Sequence, residues 1–416
     1  MPATMGTADA LLKEVYEPTV QRLLNDETPL LDRLVKSKEG ITTDNSNGGK
    51  YVKFALHLSR NTGIGARREM EDTPAPGQQT YTSGQIGLTS LYGTIQISGH
   101  AVELADSDKE SYLSVVDDEV ARLPSDLGVD LNRQLYGDGT GKLGATTTVG
   151  SNVTATIAGF DTRNFQEGMY VDVFTAANFA SNVAGTPAAA KAQAYVSAVT
   201  PSATAGAGTV TFTAAVTWVS GDVITRQGSV AREVLGLAAI VNDSGTIYGV
   251  NPTTVSKWKA VKDANGGSNR PISEAMLRTN YDQVRVNGGK VNLIIWGLGV
   301  SRAYANLLQQ NRQVVNTTEL QGGYKSLAFA TGSGNVELMD DWTAPPNTIY
   351  GLTTKDLKVY QEKDWSWWDR DGHMWRQVLG SNGYIKDAQT ATMYKYMQLG
   401  AHKRNTHFVI QDITES

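Results

Sequence analysis

The sequence contains no cysteine, and this absence removes several kinds of chemistry at once. Disulfide staples, thiolate nucleophiles and cysteine-based zinc or iron–sulfur sites are all excluded. Only five histidines are present, and none belongs to a His-Glu-x-x-His zinc motif. No Gly-x-Ser-x-Gly stretch is present that would hold a nucleophilic serine on a sharp turn. The sequence therefore predicts neither an enzyme nor a metal site, and no cofactor is expected.

Charge and long apolar runs are also scarce. Charged residues make up 19% of the 416 residues, and the net charge is only -5, so no basic stripe indicates nucleic-acid recognition. No run approaches the roughly 20 apolar residues that cross a bilayer, and the start lacks the basic and apolar regions of a signal peptide. No membrane partner is expected. Hydrophobic residues still reach 40%, enough for several domains with cores of their own.

Residues 8–38 carry apolar side chains at helix-like spacing. Pro18 and Pro29 should break this segment into short helices, because proline removes a backbone donor and clashes with the preceding turn. An apolar leader that precedes every strand can dock on another surface or pack as a helical hairpin on its own domain. The pattern leaves both readings open.

An extended arm is predicted next. Residues 51–59 alternate between apolar and polar side chains, which indicates a strand with one apolar face, and residues 87–98 are expected to be its return strand. No apolar pattern could fold residues 60–86 back on a core, and a loop of this length is usually functional or disordered. Its charged candidates for contact with a neighbouring subunit are Arg60, Arg67, Arg68, Glu69, Glu71 and Asp72. The alternative is a floppy surface hairpin.

A long amphipathic helix is predicted to begin near Ser107, where Ser-Asp-Lys-Glu forms a capping box. Its apolar stripe recurs at steps of three and four as far as Leu135. Pro124 lies inside it, and an interior proline costs about 3 kcal/mol. Because the stripe keeps its phase beyond Pro124, we expect one helix with a kink or short break, ended at Gly137.

The composition changes twice after this helix. Residues 146–228 are nearly uncharged and rich in Thr, Val, Ala and Gly, which is typical of a small all-β barrel or sandwich inserted in the chain. Its expected strands are 153–157, 169–174, 192–199, 209–212 and 222–225. From residue 232 the pattern is mixed α/β. Helices are expected at 273–284 and 299–310, and strands at 291–296, 335–339, 348–352, 358–360, 391–397 and 407–413.

Four tryptophans crowd into residues 364–375. Because Trp and Arg are enriched at interface hot spots, the favoured interpretation is a surface for subunit contact. A plain core cluster, an aromatic sugar platform and a partial calcium loop are the alternatives, and the calcium loop lacks its terminal Glu. The contact candidates in this segment are Trp365, Trp367, Trp368, Asp369, Arg370 and Trp375.

The order of these elements resembles the HK97-like fold family of tailed-bacteriophage major capsid proteins. Residues 51–98 are similar to the family's E-loop, and residues 107–136 to its spine helix, followed here by Gly-Asp-Gly-Thr-Gly at 137–141. Residues 342–351, Trp-Thr-Ala-Pro-Pro-Asn-Thr-Ile-Tyr-Gly, are similar to a stretch late in the family's axial domain. Each motif alone is weak, but their order is specific and covers nearly the whole chain.

The resemblance implies an α+β fold of six segments. These are an N-terminal arm (1–50), an E-loop hairpin (51–98), a peripheral domain with the spine helix (99–145), an inserted β-domain (146–230), an axial domain (231–354), and a peripheral-domain loop with closing strands (355–416). It further implies a head protein without catalytic activity. Copies would assemble in the host bacterial cytoplasm into pentamers and hexamers of an icosahedral virion shell.

The implied partners are further copies of the chain, separate scaffolding and portal proteins, a place for decoration proteins, and packaged double-stranded DNA held by non-specific contact. One departure from the family's founding member is informative, because that protein cross-links a lysine of its E-loop to a neighbour. Residues 54–92 contain no lysine here, so such cross-linking through the arm is not expected. An encapsulin-type compartment and a carbohydrate-binding or adhesive β-rich protein remain as alternatives.

Overall fold

The structure is a computed structural model, and it describes residues 25–36, 41–42, 51–100, 115–201, 207–312, 328–331, 334–369, 372–380 and 382–415. Helices and strands are both abundant there, so the expected α+β class is confirmed. The chain divides into two compact units. The small unit comprises Met1–Glu27, Tyr92–Val129 and Trp365–Tyr394, and the large unit comprises Thr28–Leu91, Asp130–Asp364 and Lys395–Ser416.

The described α-helices are α1 (Pro29–Lys36), α2 (Val115–Tyr136), α3 (Ala176–Val183), α4 (Leu237–Ile240), α5 (Glu274–Val286) and α6 (Leu298–Arg312). The strands are β1 (Ile41–Thr42), β2 (Tyr51–Ser59), β3 (Thr80–Gly87), β4 (Thr89–Ser98), β5 (Lys142–Ala145), β6 (Gly150–Ala158), β7 (Tyr170–Phe174), β8 (Ala192–Thr200), β9 (Ala207–Trp218) and β10 (Val223–Arg226). They continue with β11 (Val261–Asp263), β12 (Leu293–Trp296), β13 (Ala328–Thr331), β14 (Gly334–Asp340), β15 (Ile349–Leu352), β16 (Leu357–Gln361), β17 (Ser366–Trp367), β18 (Arg376–Leu379), β19 (Ile385–Ala401) and β20 (Phe408–Ile410).

Helix α2 is one helix that contains Pro124, so the prediction of a single helix is confirmed, and the short break that it allowed at Pro124 does not occur. The predicted start near Ser107 lies outside the described residues. After Tyr136 the amide of Gly137 donates to the carbonyl of Gln134 (2.9 Å), but Gly137 does not take the left-handed conformation. The positive φ angles fall two and four residues later, so the chain reverses within the glycine-rich stretch and not at its first glycine.

Helix α1 begins at Pro29, the residue that was expected to interrupt the leader. Proline suits the first helical position, since its missing N–H would have no helical partner there. Most of the predicted 8–38 leader lies outside the described residues.

The return strand of the arm is β3, and the expectation that residues 87–98 fill this role is wrong. The ladder between β2 and β3 runs from Tyr51 opposite Gly87 to Ser59 opposite Thr80. The sequence pattern does not indicate strand β3, because this strand is mostly polar and contains two glycines. Its partner supplies the apolar group: a Cβ on Gly84 would lie 2.5 Å from the ring of Phe54, so only glycine leaves room for that ring.

In the small unit, β4 lies beside the first half of β19. Thr390 Oγ1 donates to the carbonyl of Ile95 (3.0 Å), and the hydroxyls of Thr94 and Thr392 lie 3.2 Å apart. Strands β17 and β18 pair with the same half of β19. Gly93 lets helix α2 approach, because a Cβ there would lie 2.7 Å from Leu127.

In the large unit, one sheet has the order β11-β20-β15-β12-β14-β13. All four residues of β12 are buried, and helices α5 and α6 add Leu277, Tyr281, Val300 and Tyr304 to the same core. Ser273 caps α5 by accepting from the amide of Met276 (3.3 Å). Strand β20 pairs with β11 and β15 here, so grouping it with the other closing strand, β19, was wrong.

Residues 142–226 form a β-barrel in the large unit. Its six strands have the order β5-β10-β7-β8-β9-β6, and a bridge between Thr146 and Ile157 closes the ring. The five predicted strands are confirmed, and β5 starts before the expected boundary at residue 146. The interior contains Phe212 and Trp218, whose rings lie 5.2 Å apart. This bridge joins the two ends of the strand order at one point of the ring.

Candidate inter-subunit surfaces

The arm consists of β2, β3 and the segment 60–79 that connects them. Its two sides remain in close contact beyond the last ladder pair, because a Cβ on Gly77 would lie 2.5 Å from the amide nitrogen of Gly63. Almost every residue of the segment is exposed. The arm is thus a narrow ribbon with no core of its own.

All six charged candidates of the arm are exposed. Arg67 Nε donates to the carbonyl of Asp72 (3.1 Å), and the amide of Arg68 donates to Glu71 Oε2 (3.0 Å). Across the described ranges, neither these residues nor Arg60 and Glu69 form a salt bridge. The arm therefore presents three cations and three carboxylates that form no salt bridge with the residues the structure describes.

Two apolar side chains accompany these charges. Met70 is 100% exposed and Ile64 is 82% exposed. Met70 also has φ 66°, a left-handed conformation that is uncommon outside glycine, asparagine and aspartate. Because the Met70 side chain is fully exposed, it contributes no buried apolar area to the stability of its own subunit.

The root of the arm, in contrast, is fixed by aromatic packing. The ring of Phe54 lies 6.2 Å from Tyr248, 6.2 Å from Trp258 and 5.3 Å from His402 between centroids. Lys257 Nζ also donates to the carbonyl of Leu58 (2.7 Å). The three rings come from positions about 200 to 350 residues later in the chain, so no local pattern could have indicated them.

His402 joins this aromatic root to the neighbouring sheet. Its Nε2 contacts the hydroxyl of Tyr360 on β16. Burial lowers the pKa of His402, and the nearby charge of Lys358 lowers it further. A neutral imidazole is thereby favoured where the ring stacks on Phe54.

A buried carboxylate anchors helix α1. Asp341 is 1% exposed and accepts from the amide of Leu30 (3.3 Å), from Asn132 Nδ2 (3.1 Å) and from the hydroxyl of Tyr136 (2.8 Å). It thus joins the first turn of α1, the end of α2 and the end of β14. The negative charge suits the N-terminal end of α1. In the residues described, the leader packs on its own large unit.

A second polar cluster holds the barrel to the end of α2. Asp130 Oδ1 lies 3.0 Å from Arg133 Nε and 3.0 Å from Arg226 on β10, and Arg133 reaches Glu233 at 2.6 Å. Burial raises the pKa of Asp130, but the two guanidinium groups outweigh it and hold the pKa well below its ordinary value. The last strand of the barrel and the segment that follows it are thereby joined to the end of α2.

The tryptophan candidates lie in the small unit. Trp367 belongs to β17, opposite Met393, and the amide of Trp368 donates to the carbonyl of Thr392 (2.8 Å). Trp365, Trp367, Trp368 and Trp375 are all half-buried, and Asp369 is exposed. Arg370 lies outside the described residues. The four rings thus belong partly to the fold and partly to the surface.

One face of this region combines aromatic rings and a cation. The ring of Tyr92 stacks on Trp368 with centroids 6.4 Å apart, and the guanidinium carbon of Arg376 lies 5.7 Å from the Trp368 centroid. Tyr92 is 53% exposed. Tyr92 and Arg376 were not among the predicted contact residues, because they come from β4 and β18 and meet Trp368 only through strand pairing with β19.

The described parts of the chain contain no cluster of metal-binding side chains. No group of three or more His, Asp and Glu side chains there could hold a metal ion. No described helix is long and apolar enough to cross a membrane.

Comparison with solved structures finds the same fold along the whole chain. A chain of the cyanophage A-1(L) capsid asymmetric unit matches with a TM-score of 0.63 and 13% identity, over 99% of this chain and 100% of that chain. A chain from the capsid of a native GTA particle matches with a TM-score of 0.53 and 8% identity, over 99% of both. A chain from Microbacterium phage Oxtober96 gives 0.51 and 8%, over 98% of both.

No protein-family model and no curated protein matches the sequence. At these low identities the structural matches establish the fold alone. The resemblance to phage capsid proteins, inferred from the order of elements, is therefore confirmed at the level of fold.

Proposed function

We propose that this chain is the major capsid protein of a tailed bacteriophage. Copies assemble into pentamers and hexamers of an icosahedral shell that encloses double-stranded DNA. One observation carries the proposal: a fold shared from end to end with a chain of a phage capsid asymmetric unit. A partial match could reflect one common domain, whereas this match covers 99% of this chain and 100% of that chain.

The arm supports the same function. Its root is held by Phe54 against three aromatic rings, whereas its exposed part leaves charges and Met70 uncovered. A ribbon that is fixed at one end and uncovered at the other is suited to reach a neighbouring subunit. Arg60, Arg67 and Arg68 would then meet carboxylates of that neighbour, and Glu69, Glu71 and Asp72 would meet its cations.

The tryptophan surface of the small unit is the second proposed contact. Half-buried aromatic rings can bury much of their remaining area against another copy at little entropic cost. In the shell, residues 231–354 would gather around the centre of each capsomer, and the barrel would occupy the space available outside the tightly packed layer. Scaffolding, portal and decoration proteins would be separate chains.

The proposal is tested by purifying the chain expressed alone and examining it by sedimentation and negative-stain microscopy. Closed shells, or rings of five and six subunits, are the expected result. Monomers at every concentration would contradict self-assembly. The contents of purified particles then decide the class: double-stranded DNA is expected in phage heads, whereas a protein cargo would identify an encapsulin-type compartment.

A further inference from the structure

Four Asn-Gly pairs occur in the sequence, and they begin at Asn47, Asn265, Asn287 and Asn382. Asn47 lies outside the described residues. An asparagine that precedes glycine is open to a reaction with its own backbone, in which the glycine nitrogen attacks Cγ of the asparagine. Glycine permits this approach because it has no side chain that would obstruct it. The structure distinguishes the three described pairs from one another.

The three described pairs share two properties, so neither property separates them. All three asparagines are exposed, and so are the glycines that follow them. Gly266, Gly288 and Gly383 each have a positive φ, and no heavy atom lies within 4 Å of the place that a Cβ would take. Solvent therefore reaches each pair, and no neighbouring group obstructs the glycine. The pairs differ in the hydrogen bonding of the attacking nitrogen.

At two of the pairs the glycine amide donates a hydrogen bond to the backbone. The amide of Gly288, just after α5, donates to the carbonyl of Arg285 (2.9 Å), and the amide of Gly383 donates to the carbonyl of Gly380 (2.9 Å). The nitrogen must lose its proton and turn towards the asparagine side chain before it can attack, so this bond must first break. A backbone hydrogen bond of ordinary net strength reduces the open population by about fivefold.

The amide of Gly266 differs, because it forms no hydrogen bond with the residues that the structure describes. The Asn265 side chain is also held on the side of the backbone where Gly266 lies. Asn265 Nδ2 donates to the carbonyl of Ser268 (2.8 Å), three residues further along the chain. The two reacting groups are therefore kept near each other before the reaction, which lowers the entropic cost of forming a ring.

We propose that Asn265 is a site of self-catalysed deamidation that yields isoaspartate, with water as the co-reactant. The nitrogen of Gly266 forms a bond to Asn265 Cγ as its proton leaves to solvent. The Cγ–Nδ2 bond then breaks, and the departing nitrogen takes up a proton and leaves as ammonia. Water opens the resulting cyclic imide. Opening at the backbone carbonyl gives isoaspartate, whose chain continues through Cγ, and opening at Cγ gives aspartate.

The net change consumes one water and releases one ammonia, with no oxidation or reduction. Because the ammonia is lost to solvent, the change is irreversible. The fraction of modified subunits therefore records the age of the protein. This inference does not rest on the proposed shell function.

The loop that contains Asn265 is fastened by one carboxylate to the chain that follows β20. Asp412 Oδ2 accepts from the amides of Asn265 (2.7 Å) and Gly267 (3.0 Å). The bond from Gly267, and next that from Asn265, hold the pKa of Asp412 below its ordinary value. Isoaspartate lengthens the backbone between these two amides by one carbon and adds a carboxylate near Asp412. Both changes oppose the shared contact, so the modification releases the loop.

Ageing of the purified full chain tests the proposal with two internal controls. The protein is incubated at mildly alkaline pH, which favours the deprotonated glycine nitrogen, and samples taken over time are digested. Mass spectrometry then measures aspartate and isoaspartate at the three described pairs in the same sample. Conversion at Asn265 is expected to be at least about fivefold faster than at Asn287 and Asn382. Equal or slower conversion at Asn265 would overturn the proposal.

The same incubation in concentrated urea separates the effect of the fold from that of the local sequence. The three rates are expected to converge there, because each site is an Asn-Gly pair without tertiary structure. An equally large preference for Asn265 in urea would overturn the role assigned to the Gly266 amide. The variant Asn265→Gln should show no conversion at position 265, because its longer side chain forms the corresponding ring slowly, and should keep the folded rates at the other two pairs.

Hydrogen exchange tests the release of the loop. Peptides that cover residues 264–269 should exchange faster in aged protein than in fresh protein, whereas aged and fresh Asn265→Gln should exchange alike. Unchanged exchange in aged, isoaspartate-containing protein would refute the loss of the Asp412 contact. None of these measurements requires assembly, so a chain that deamidates as expected but forms no rings or shells would refute the proposed function alone.

Discussion

The arm and the barrel both belong to the large unit, but they differ in the pairing of their strands. The first and last strands of the barrel sheet are joined by a bridge, whereas β2 and β3 of the arm pair only with each other. The barrel closes on itself through the bridge between Thr146 and Ile157 and buries Phe212 and Trp218 inside. The arm extends two paired strands that bury Phe54 in part and Ile86 in full near its root, and its connecting segment is almost entirely exposed. A closed sheet stabilises its own subunit, whereas an open ribbon gains its stabilising contacts only from a partner. The comparison predicts that barrel changes unfold the subunit and that arm changes prevent its assembly.

The largest effect on subunit stability is expected inside the barrel. Trp218→Ala removes a ring that is 2% exposed and packed 5.2 Å from Phe212, and it should lower the free energy of unfolding by about 3–5 kcal/mol. Urea titration of isolated subunits measures this loss. The adjacent, half-exposed Val219→Ala is the control and should change stability by no more than about 0.5 kcal/mol. Equal effects at the two positions would contradict a packed barrel interior.

Acid should weaken the part of the large unit that carries the arm and the barrel. His407 is fully buried and accepts from the amide of Thr353 (3.1 Å), and burial lowers its pKa to about 4. The unfolded chain, with an ordinary histidine pKa near 6.5, then binds more protons than the folded one between these values. Stability contributed by neutral His407 is complete above pH about 6.5 and falls by on the order of 3 kcal/mol by pH about 4.

The variant His407→Asn keeps an acceptor for Thr353 but does not titrate. Its free energy of unfolding should therefore depend less steeply on pH over this window, as measured by urea titration at several pH values. His373→Asn, at an exposed histidine, should retain the slope of the unmodified protein. A slope unchanged in His407→Asn would show that other groups cause the acid sensitivity.

An intermediate effect is expected at the root of the arm. Phe54→Ala removes the half-buried ring that contacts Tyr248, Trp258 and His402, and it should cost about 2 kcal/mol. The arm should also become a faster site of proteolysis, because its attachment is loosened. Tyr81→Ala, at a 62% exposed position on the facing strand, should cost less than about 1 kcal/mol. Proteolysis of the arm at an unchanged rate in Phe54→Ala would contradict the anchoring role of this ring.

The smallest effect on stability, with the largest effect on assembly, is expected at the exposed end of the arm. Arg67→Glu combined with Arg68→Glu should change the free energy of unfolding by no more than about 0.5 kcal/mol, because both side chains are exposed and form no salt bridge in the described chain. Shell yield in sedimentation should nevertheless fall severalfold, since two cations facing a neighbour become anions.

The double variant Arg285→Glu, Lys290→Glu is a matched control, because it makes the same charge change at exposed positions of the large unit outside the arm. It should assemble normally. If both double variants assemble equally well, the charges of the arm do not contact a neighbour.

Elements with a strong local pattern could be predicted from sequence. The stripe of α2 persists through Pro124, Ser273 caps α5, and the run Leu293–Trp296 forms a buried strand. The five strands of the barrel followed from short apolar runs between turn residues. Strand β3 could not be found in this way, because Gly84 is where its partner's ring fits and carries no apolar signal.

The residues that join distant segments were also beyond a local reading. Asp341 looks like an ordinary acidic residue in sequence, yet it accepts hydrogen bonds from α1 and α2. Arg404 reads as a surface cation, yet it is fully buried and donates to five backbone carbonyls between residues 239 and 245. Burial lowers its pKa to about 10. Long-range polar contacts of this kind leave no periodicity in the chain.

The sequence by itself determined the α+β class, the positions of the main helices and strands, the exclusion of cysteine chemistry, and an arm too polar to form a core. These features depend on local periodicity and composition. The tertiary structure alone decided which strand returns from the arm, that a bridge joins the two ends of the barrel sheet, and that β20 joins the sheet of β12. Such features depend on which distant surfaces meet, and pairing between distant strands is selected by the packing of the whole fold and not by the residues of either strand.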